Sequence, residues 1–248
     1  MSIAPLAFVV ERLAANQVEI AVLLPPGGSP HSFEPSLPQA QAMARAALRL
    51  RVGHPHLPFE SAVFDRLAVD NPGAVDLRCI DAVEGDDEDP HVWLLPTSMQ
   101  TCAARLLPQL QRLLPARVSE LALSFETLSQ DLEALDVELR EELSPLPRKR
   151  FYVYHPAWSH LARFYGLTEV AIERDGKEPD PRYLSQVITQ ARADGARSLF
   201  VQPQFPRHSV ELVAESLGAQ VVVLDPMARD WMANLRRVSA ALQQELQR

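Results

Sequence analysis

The sequence predicts an α/β protein of two lobes, each built on a parallel sheet, joined by a long connecting helix. Three observations carry this. Short β-branched or apolar runs alternate with helical segments of about ten residues, the rhythm of βαβ units and parallel sheets. One stretch, Ala116 to Leu143, breaks the alternation with no glycine and no proline. After it the same strand–helix rhythm resumes, without a readable sequence repeat.

The elements follow in order. Val18–Leu24 reads as a buried strand, Leu37–Ala47 as a helix, Leu48–Gly53 as a strand and Phe59–Leu67 as a helix. Val75–Ile80 reads as a strand ending at an acidic loop, Asp81–Asp89, and Pro96–Leu114 as a helix. In the unbroken stretch, Leu121, Phe125, Leu128, Leu132, Leu135 and Leu139 recur at three- and four-residue steps, which predicts one amphipathic helix. At 1.5 Å per residue it would run about 40 Å, the length of a small domain. Ser144-Pro145-Leu146-Pro147 stops it. No heptad run continues beyond it, so a rigid spine between lobes fits better than a coiled-coil arm. Then come strands at Arg150–His155, Leu167–Glu173, Ser198–Pro203 and Gln220–Asp225. Helices at Pro156–Tyr165, Pro181–Ala193, Arg207–Leu217 and Asp230–Leu246 alternate with them, Gly166 and Gly218 capping two. The division is therefore a first lobe over residues 1–115, a spine over 116–146 and a second lobe over 147–248.

Composition narrows the functional classes. The 248 residues are 47% hydrophobic and 23% charged, an ordinary globular balance. A net charge of -8 repels phosphate backbones, which argues against nucleic-acid binding. It is permissive for a metal binder without being a sign of one, because salt screens exposed charge. No apolar run is long enough to span a membrane. The opening Met1-Ser2-Ile3-Ala4-Pro5 has no basic region followed by an apolar stretch, as in a cytosolic protein or a secreted one lacking its signal. No Gly-x-Gly-x-x-Gly or phosphate-loop pattern occurs, so nucleotide cofactors lose their support. Cys79 and Cys102 form no metal motif. They are read as two buried thiols, a disulfide being the alternative in an exported protein.

The chemistry lies at strand ends. His31 follows the Val18–Leu24 strand in the Pro25-Pro26-Gly27-Gly28-Ser29-Pro30 loop, and His91 follows the Val75–Ile80 strand in Asp89-Pro90-His91-Val92-Trp93. His155 ends one strand of the second lobe, and Asp225 ends another before Pro226. Open parallel sheets bind ligands outside the carboxyl ends of their strands. Two lobes facing each other would bring two such edges to one cleft. Three imidazoles and a carboxylate make a four-coordinate set suited to Zn²⁺. No two of the four are close in sequence, so spacing alone leaves a strand-end histidine with an ordinary hydrogen-bonding role as an equal alternative.

Longer signatures add to this. They are Ser2-Ile3-Ala4-Pro5-Leu6, Gly28-Ser29-Pro30-His31-Ser32-Phe33-Glu34-Pro35, the Gly53–Glu60 segment and Asp89-Pro90-His91-Val92-Trp93-Leu94. Tyr154-His155-Pro156-Ala157-Trp158, Gly176-Lys177-Glu178-Pro179, Val201-Gln202-Pro203-Gln204-Phe205, Leu224-Asp225-Pro226 and Trp231 complete the series. In this order and spacing the chain resembles the metal-specific solute-binding proteins of ABC importers, the zinc- and manganese-uptake receptors. The resemblance implies two Rossmann-like lobes, limited hinge motion, a monomer in the periplasm and delivery of the ion to an importer's membrane permease. It also places the family's ligands on His31, His91, His155 and Asp225. A histidine at the third position goes with zinc receptors and a carboxylate with manganese receptors, so His155 favours Zn²⁺ over a manganese-receptor reading. Two departures stand out. The loop before His91 is short and acidic rather than His-rich, read as a solvated charge run or a weak electrostatic funnel. The chain also opens where the family's first strand should be finishing.

Other residues are secondary candidates. His54 and His56 flank Pro55 and point opposite ways in an extended segment, so they cannot easily share an ion. His160 and His208 read as surface or hydrogen-bonded. Glu60 and Glu178 read as structural or as partners to ligands. Phe33, Trp93 and Trp158 either exclude water beside the ligands or pack the core. A zinc hydrolase is disfavoured, because Asp225 would close the position that catalytic zinc keeps for water. A receptor for an organic solute would not need the histidines.

Overall fold

A computed structural model describes residues 1–79, 89–173, 180–205 and 207–247, with side chains at 68, 70 and 207–209 outside the description. Most of the acidic loop Asp81–Asp89, the Gly176–Pro179 segment with Glu178, and the His208 side chain therefore lie outside the described residues.

The protein is α/β with parallel sheets and a long helix between two lobes. Its helices are α1 (Ala4–Ala14), α2 (Leu37–Ala44), α3 (Pro58–Asp70), α4 (Pro96–Leu113) and α5 (Val118–Leu143), then α6 (Ser159–Phe164), α7 (Pro181–Ala193), α8 (Arg207–Leu217) and α9 (Trp231–Leu246). Its strands are β1 (Leu48–Arg51), β2 (Val75–Arg78), β3 (Arg150–Val153), β4 (Thr168–Ala171), β5 (Ser198–Val201) and β6 (Gln220–Val223). None of the described helices is long and apolar enough to cross a membrane.

Two compact units divide the chain. One comprises Met1–Asp136 with Met227–Trp231, the other Val137–Pro226 with Met232–Arg248, so the boundary falls inside α5. The spine helix has 26 residues, starting after a 3-10 turn at Pro115–Arg117. Of the predicted stripe, Leu121, Leu128, Leu132, Leu135 and Leu139 are buried and Phe125 is only half-buried; Leu143 extends the buried face by one turn.

In the first unit, β1 and β2 pair in parallel, Leu48 opposite Val75 and Arg51 opposite Arg78. Helix α1, which the sequence reading did not foresee, packs on α4 and buries Leu6, Val9, Val10 and Leu13. Pro5 suits the first turn of a helix, where no amide donor is needed. The expected strand Val18–Leu24 is instead irregular. It still pairs by backbone: Leu23 and Leu24 donate to the Met1 and Ser2 carbonyls at 2.9 and 3.0 Å, and Ser2 donates to Leu50 at 2.9 Å. Cys79 and Cys102 correct the expectation of free thiols: they are joined in a disulfide, and both are fully buried.

The second unit holds a four-stranded parallel sheet in the order β4-β3-β5-β6. Its core collects Tyr152, Tyr154, Ile172, Leu199 and Val201 from the sheet with Val187, Ala191, Val210, Ala214 and Leu217 from α7 and α8. Asp180 caps α7, its carboxylate accepting from the Arg182 and Tyr183 amides at 3.0 Å each. Helix α6 begins at Ser159 rather than Pro156 because the Ala157 and Trp158 amides are turned to the Glu169 carboxylate, at 3.1 and 2.9 Å.

Candidate metal centre

The first unit supplies two of the expected ligands. His31 is exposed, in a loop tied by Gly28 N–H to Pro25 at 3.0 Å and Ser32 N–H to Ser29 at 3.3 Å. Phe33 fixes this loop to the start of α3, its ring edge-on to Phe59 at 5.7 Å. His91 is 3% exposed and stands just before a 3-10 turn at Val92–Leu94. Its ring lies 5.4 Å from that of His31 and 5.1 Å from that of Trp93. Asp89 holds it in place: one carboxylate oxygen accepts from the His91 backbone N–H at 2.9 Å and meets the ring Nδ1 at 2.6 Å.

The second unit supplies the other two. Strand pairing continues past the assigned ends, with Tyr154 N–H donating to Phe200 and Glu173 N–H to Tyr154, each at 2.8 Å. The β3–β4 register sets Val153 opposite Ala171, so two residues on it sets His155 beside Glu173. The β3–β5 register sets Val153 opposite Phe200, so two residues on it sets His155 beside Gln202. The contacts agree with both registers. Glu173 meets His155 Nδ1 at 2.9 Å, and Gln202 donates to the His155 carbonyl at 2.8 Å. Phe205 stacks on the imidazole at 5.1 Å. Asp225 lies two residues beyond β6 and is half-buried, its carbonyl accepting from Asn234 at 2.7 Å.

His31, His91 and His155 can each offer a ligand atom such that the three lie within 4.8 Å of one another. Asp225 is not in that group. Nδ1 of His91 and of His155 faces a carboxylate, which when ionised only accepts hydrogen bonds, and the tautomer with its proton on Nδ1 is the one whose Nε2 can ligate a cation.

The secondary candidates resolve into support. The His56 amide donates to His54 Nδ1 at 3.2 Å, and the two rings meet edge-on at 5.5 Å. That hydrogen bond occupies the lone pair on His54 Nδ1 and gives the ring a turn-closing role. Glu60, nearly fully buried, accepts from the Val52 and Gly53 amides at 2.9 and 2.8 Å. Burial pushes its carboxyl above the usual carboxylate range, opposed by hydrogen bonds from Ser2, Gly53 and Val52. Gly53 needs its φ of +91°, and a Cβ there would meet Arg78 Cγ at 2.9 Å. His160 is buried in α6, its Nδ1 3.3 Å from the Arg163 guanidinium. Trp93 and Trp158 are core residues, 0% and 1% exposed.

Sequence reasoning missed Asp89 and Glu173 as imidazole partners. An aspartate two residues before a histidine is a local turn signal that was available. Glu173 depends on strand register, which no local pattern reveals.

Residues 1–245 match the family model described as zinc-uptake complex component A, periplasmic. The high-affinity zinc uptake system protein ZnuA of Haemophilus ducreyi is 24% identical over an alignment of 260 residues, covering 91% of this chain and 83% of that protein. The zinc-binding protein TroA of Treponema pallidum is 25% identical, covering 88% of this chain and 74% of that protein. A crystal structure of a ZnuA deletion mutant with zinc bound superposes with a TM-score of 0.90 at 31% identity, covering 100% of this chain and 96% of that one.

Proposed function

The chain belongs to the zinc-uptake complex component A family, and from that premise we propose that it captures one Zn²⁺ through His31, His91, His155 and Asp225 and delivers it to the membrane permease of an ABC importer. The observation that carries the reading is the mutual approach, within 4.8 Å, of ligand atoms from three histidines far apart in sequence. Nitrogens on a tetrahedral zinc with bonds of about 2.0–2.1 Å stand roughly 3.3 Å apart, so small side-chain adjustments would seat the ion. Asp225 closes the shell as the fourth ligand and brings negative charge to a dication. Imidazole-rich ligation favours Zn²⁺ over Mn²⁺, which prefers oxygen.

In this reading the protein performs capture without chemistry. Four protein ligands leave no position for an activated water. In the same reading the receptor works as a monomer in the periplasm. The Cys79–Cys102 disulfide supports an oxidising compartment, since disulfides persist there and are rare in the cytosol.

Competitive titration of metal-stripped protein with Zn²⁺ and Mn²⁺, beside a His155→Ala variant, tests the reading. One-to-one zinc binding should weaken on the order of 100-fold or more in the variant, exceeding the usual effect of losing a ligand's partner. Manganese should bind much more weakly than zinc. Zinc binding indifferent to His155 would mean that the ligand set is wrong.

A further inference from the structure

Two carboxylates behind the imidazoles have the geometry of built parts of the site. Asp89 Oδ1 lies 2.6 Å from His91 Nδ1, and Glu173 Oε2 lies 2.9 Å from His155 Nδ1. The two contacts arise from unrelated constructions. Asp89 reaches its ring from two residues upstream, across Pro90, while the same oxygen accepts the His91 backbone amide. Glu173 reaches its ring from the neighbouring strand, through the parallel register of β3 and β4. Both carboxylates are largely withdrawn from water, their side chains 12% and 8% exposed. A carboxylate on Nδ1 of a ligating imidazole is placed to complement a dication on the far side of the ring.

We propose that Asp89 and Glu173 are positioning residues for zinc capture: they lock His91 and His155 as Nε2 ligands and supply buried negative charge one ring's width behind the ion. This rests on the reading that His91 and His155 ligate zinc. The lock has three parts at each ring. His91 has Asp89 on Nδ1, Asp89 again on its backbone and Trp93 against its ring. His155 has Glu173 on Nδ1, Gln202 on its carbonyl and Phe205 on its face. A ring so held loses little freedom when it binds, and a carboxylate on Nδ1 strengthens the donor at Nε2. The two roles separate experimentally. Asparagine or glutamine keeps an oxygen that can accept from Nδ1–H but removes the charge, whereas alanine removes both.

The experiment compares Asp89→Asn, Asp89→Ala, Glu173→Gln and Glu173→Ala with wild type, His91→Ala and His155→Ala. Zn²⁺ affinity is measured by chelator competition, the visible absorption of bound Co²⁺ is recorded, and far-UV circular dichroism checks folding. The amide variants should lose zinc affinity on the order of 10-fold and keep a wild-type Co²⁺ spectrum. The alanine variants should approach about 100-fold and shift that spectrum, because the ring is free to turn. If the folded amide and alanine variants bind zinc within twofold of wild type while the histidine variants lose it, the positioning role is refuted and the ligand set stands. If the histidine variants bind zinc like wild type, the ligand reading itself fails. A scattered loss with no order between amide and alanine, and an unshifted Co²⁺ spectrum throughout, would also overturn the proposal.

Discussion

Replacing both Cys79 and Cys102 with alanine should lower the stability of the first unit by an amount set mainly by loop closure. The two cysteines are 23 residues apart, and closing a loop of that size in the unfolded chain is worth about 3 kcal/mol at 25 °C. The loop lies wholly within Met1–Asp136, so the loss belongs to that unit. With an unfolding entropy near 2.1 cal/mol/K per residue over roughly 140 residues, the transition should fall by about 10 °C. The loop carries His91, so the opened chain should also bind zinc more weakly, its His91 arm having more conformations to lose on binding. Differential scanning calorimetry of apo wild type and the double variant reads the first effect, and chelator competition reads the second. A thiol assay on wild type unfolded without reductant tests the premise directly. Two reactive thiols there, or a melting difference below about 3 °C, would refute the reasoning.

Further outcomes follow from the site and the second unit. Zinc must compete with protons for its imidazole ligands, and free histidine takes up its second proton at about pH 6.5, so apparent affinity should fall at least about 100-fold between pH 7 and pH 5; unchanged affinity at pH 5 would contradict histidine ligation. Asp194 accepts from Tyr152 at 2.5 Å, Arg150 at 2.8 Å and Gln190 at 2.9 Å. Burial pulls its carboxyl upward, but those hydrogen bonds from Tyr152, Arg150 and Gln190 outweigh it and hold it below the usual range. A depressed carboxyl contributes stability that is complete above the unfolded value of about 3.9 and is lost as pH falls through the folded value. Asp194→Asn should therefore cost about 1–3 kcal/mol at pH 7, with the gap to wild type narrowing below about pH 3 in denaturant melts. A gap that is the same at both pH values would show that charge plays no part.

Local pattern was enough for much of this molecule. The α5 stripe, the Pro181–Ala193 and Arg207–Leu217 helices and the strand cores were legible because helical and strand periodicities are written in neighbouring residues. The carboxyl-end rule for parallel sheets pointed to His31, His91, His155 and Asp225, but order and spacing left an ordinary hydrogen-bonding role equally open, and the run before His31 is not a regular strand. Helix α1 escaped because a helix buried on nearly all sides, from Pro5 to Ala14, shows no polar face to mark its period. Val18–Leu24 misled for the converse reason: an apolar run becomes a strand only where a regular ladder forms beside it, and here the Leu23 and Leu24 amides donate to Met1 and Ser2 while the Leu23 carbonyl accepts from the Gln39 side chain.

What the sequence by itself determined is the class of fold, the spine and the residue types offered at the strand ends, all properties of short segments. Tertiary structure decided the rest. The Cys79–Cys102 bond, the carboxylate behind His155 and the approach of three histidine nitrogens to within 4.8 Å each join segments separated along the chain. The physical reason is that strand register and core packing are set by many weak contacts summed over a whole unit, and no single stretch of residues contains that sum.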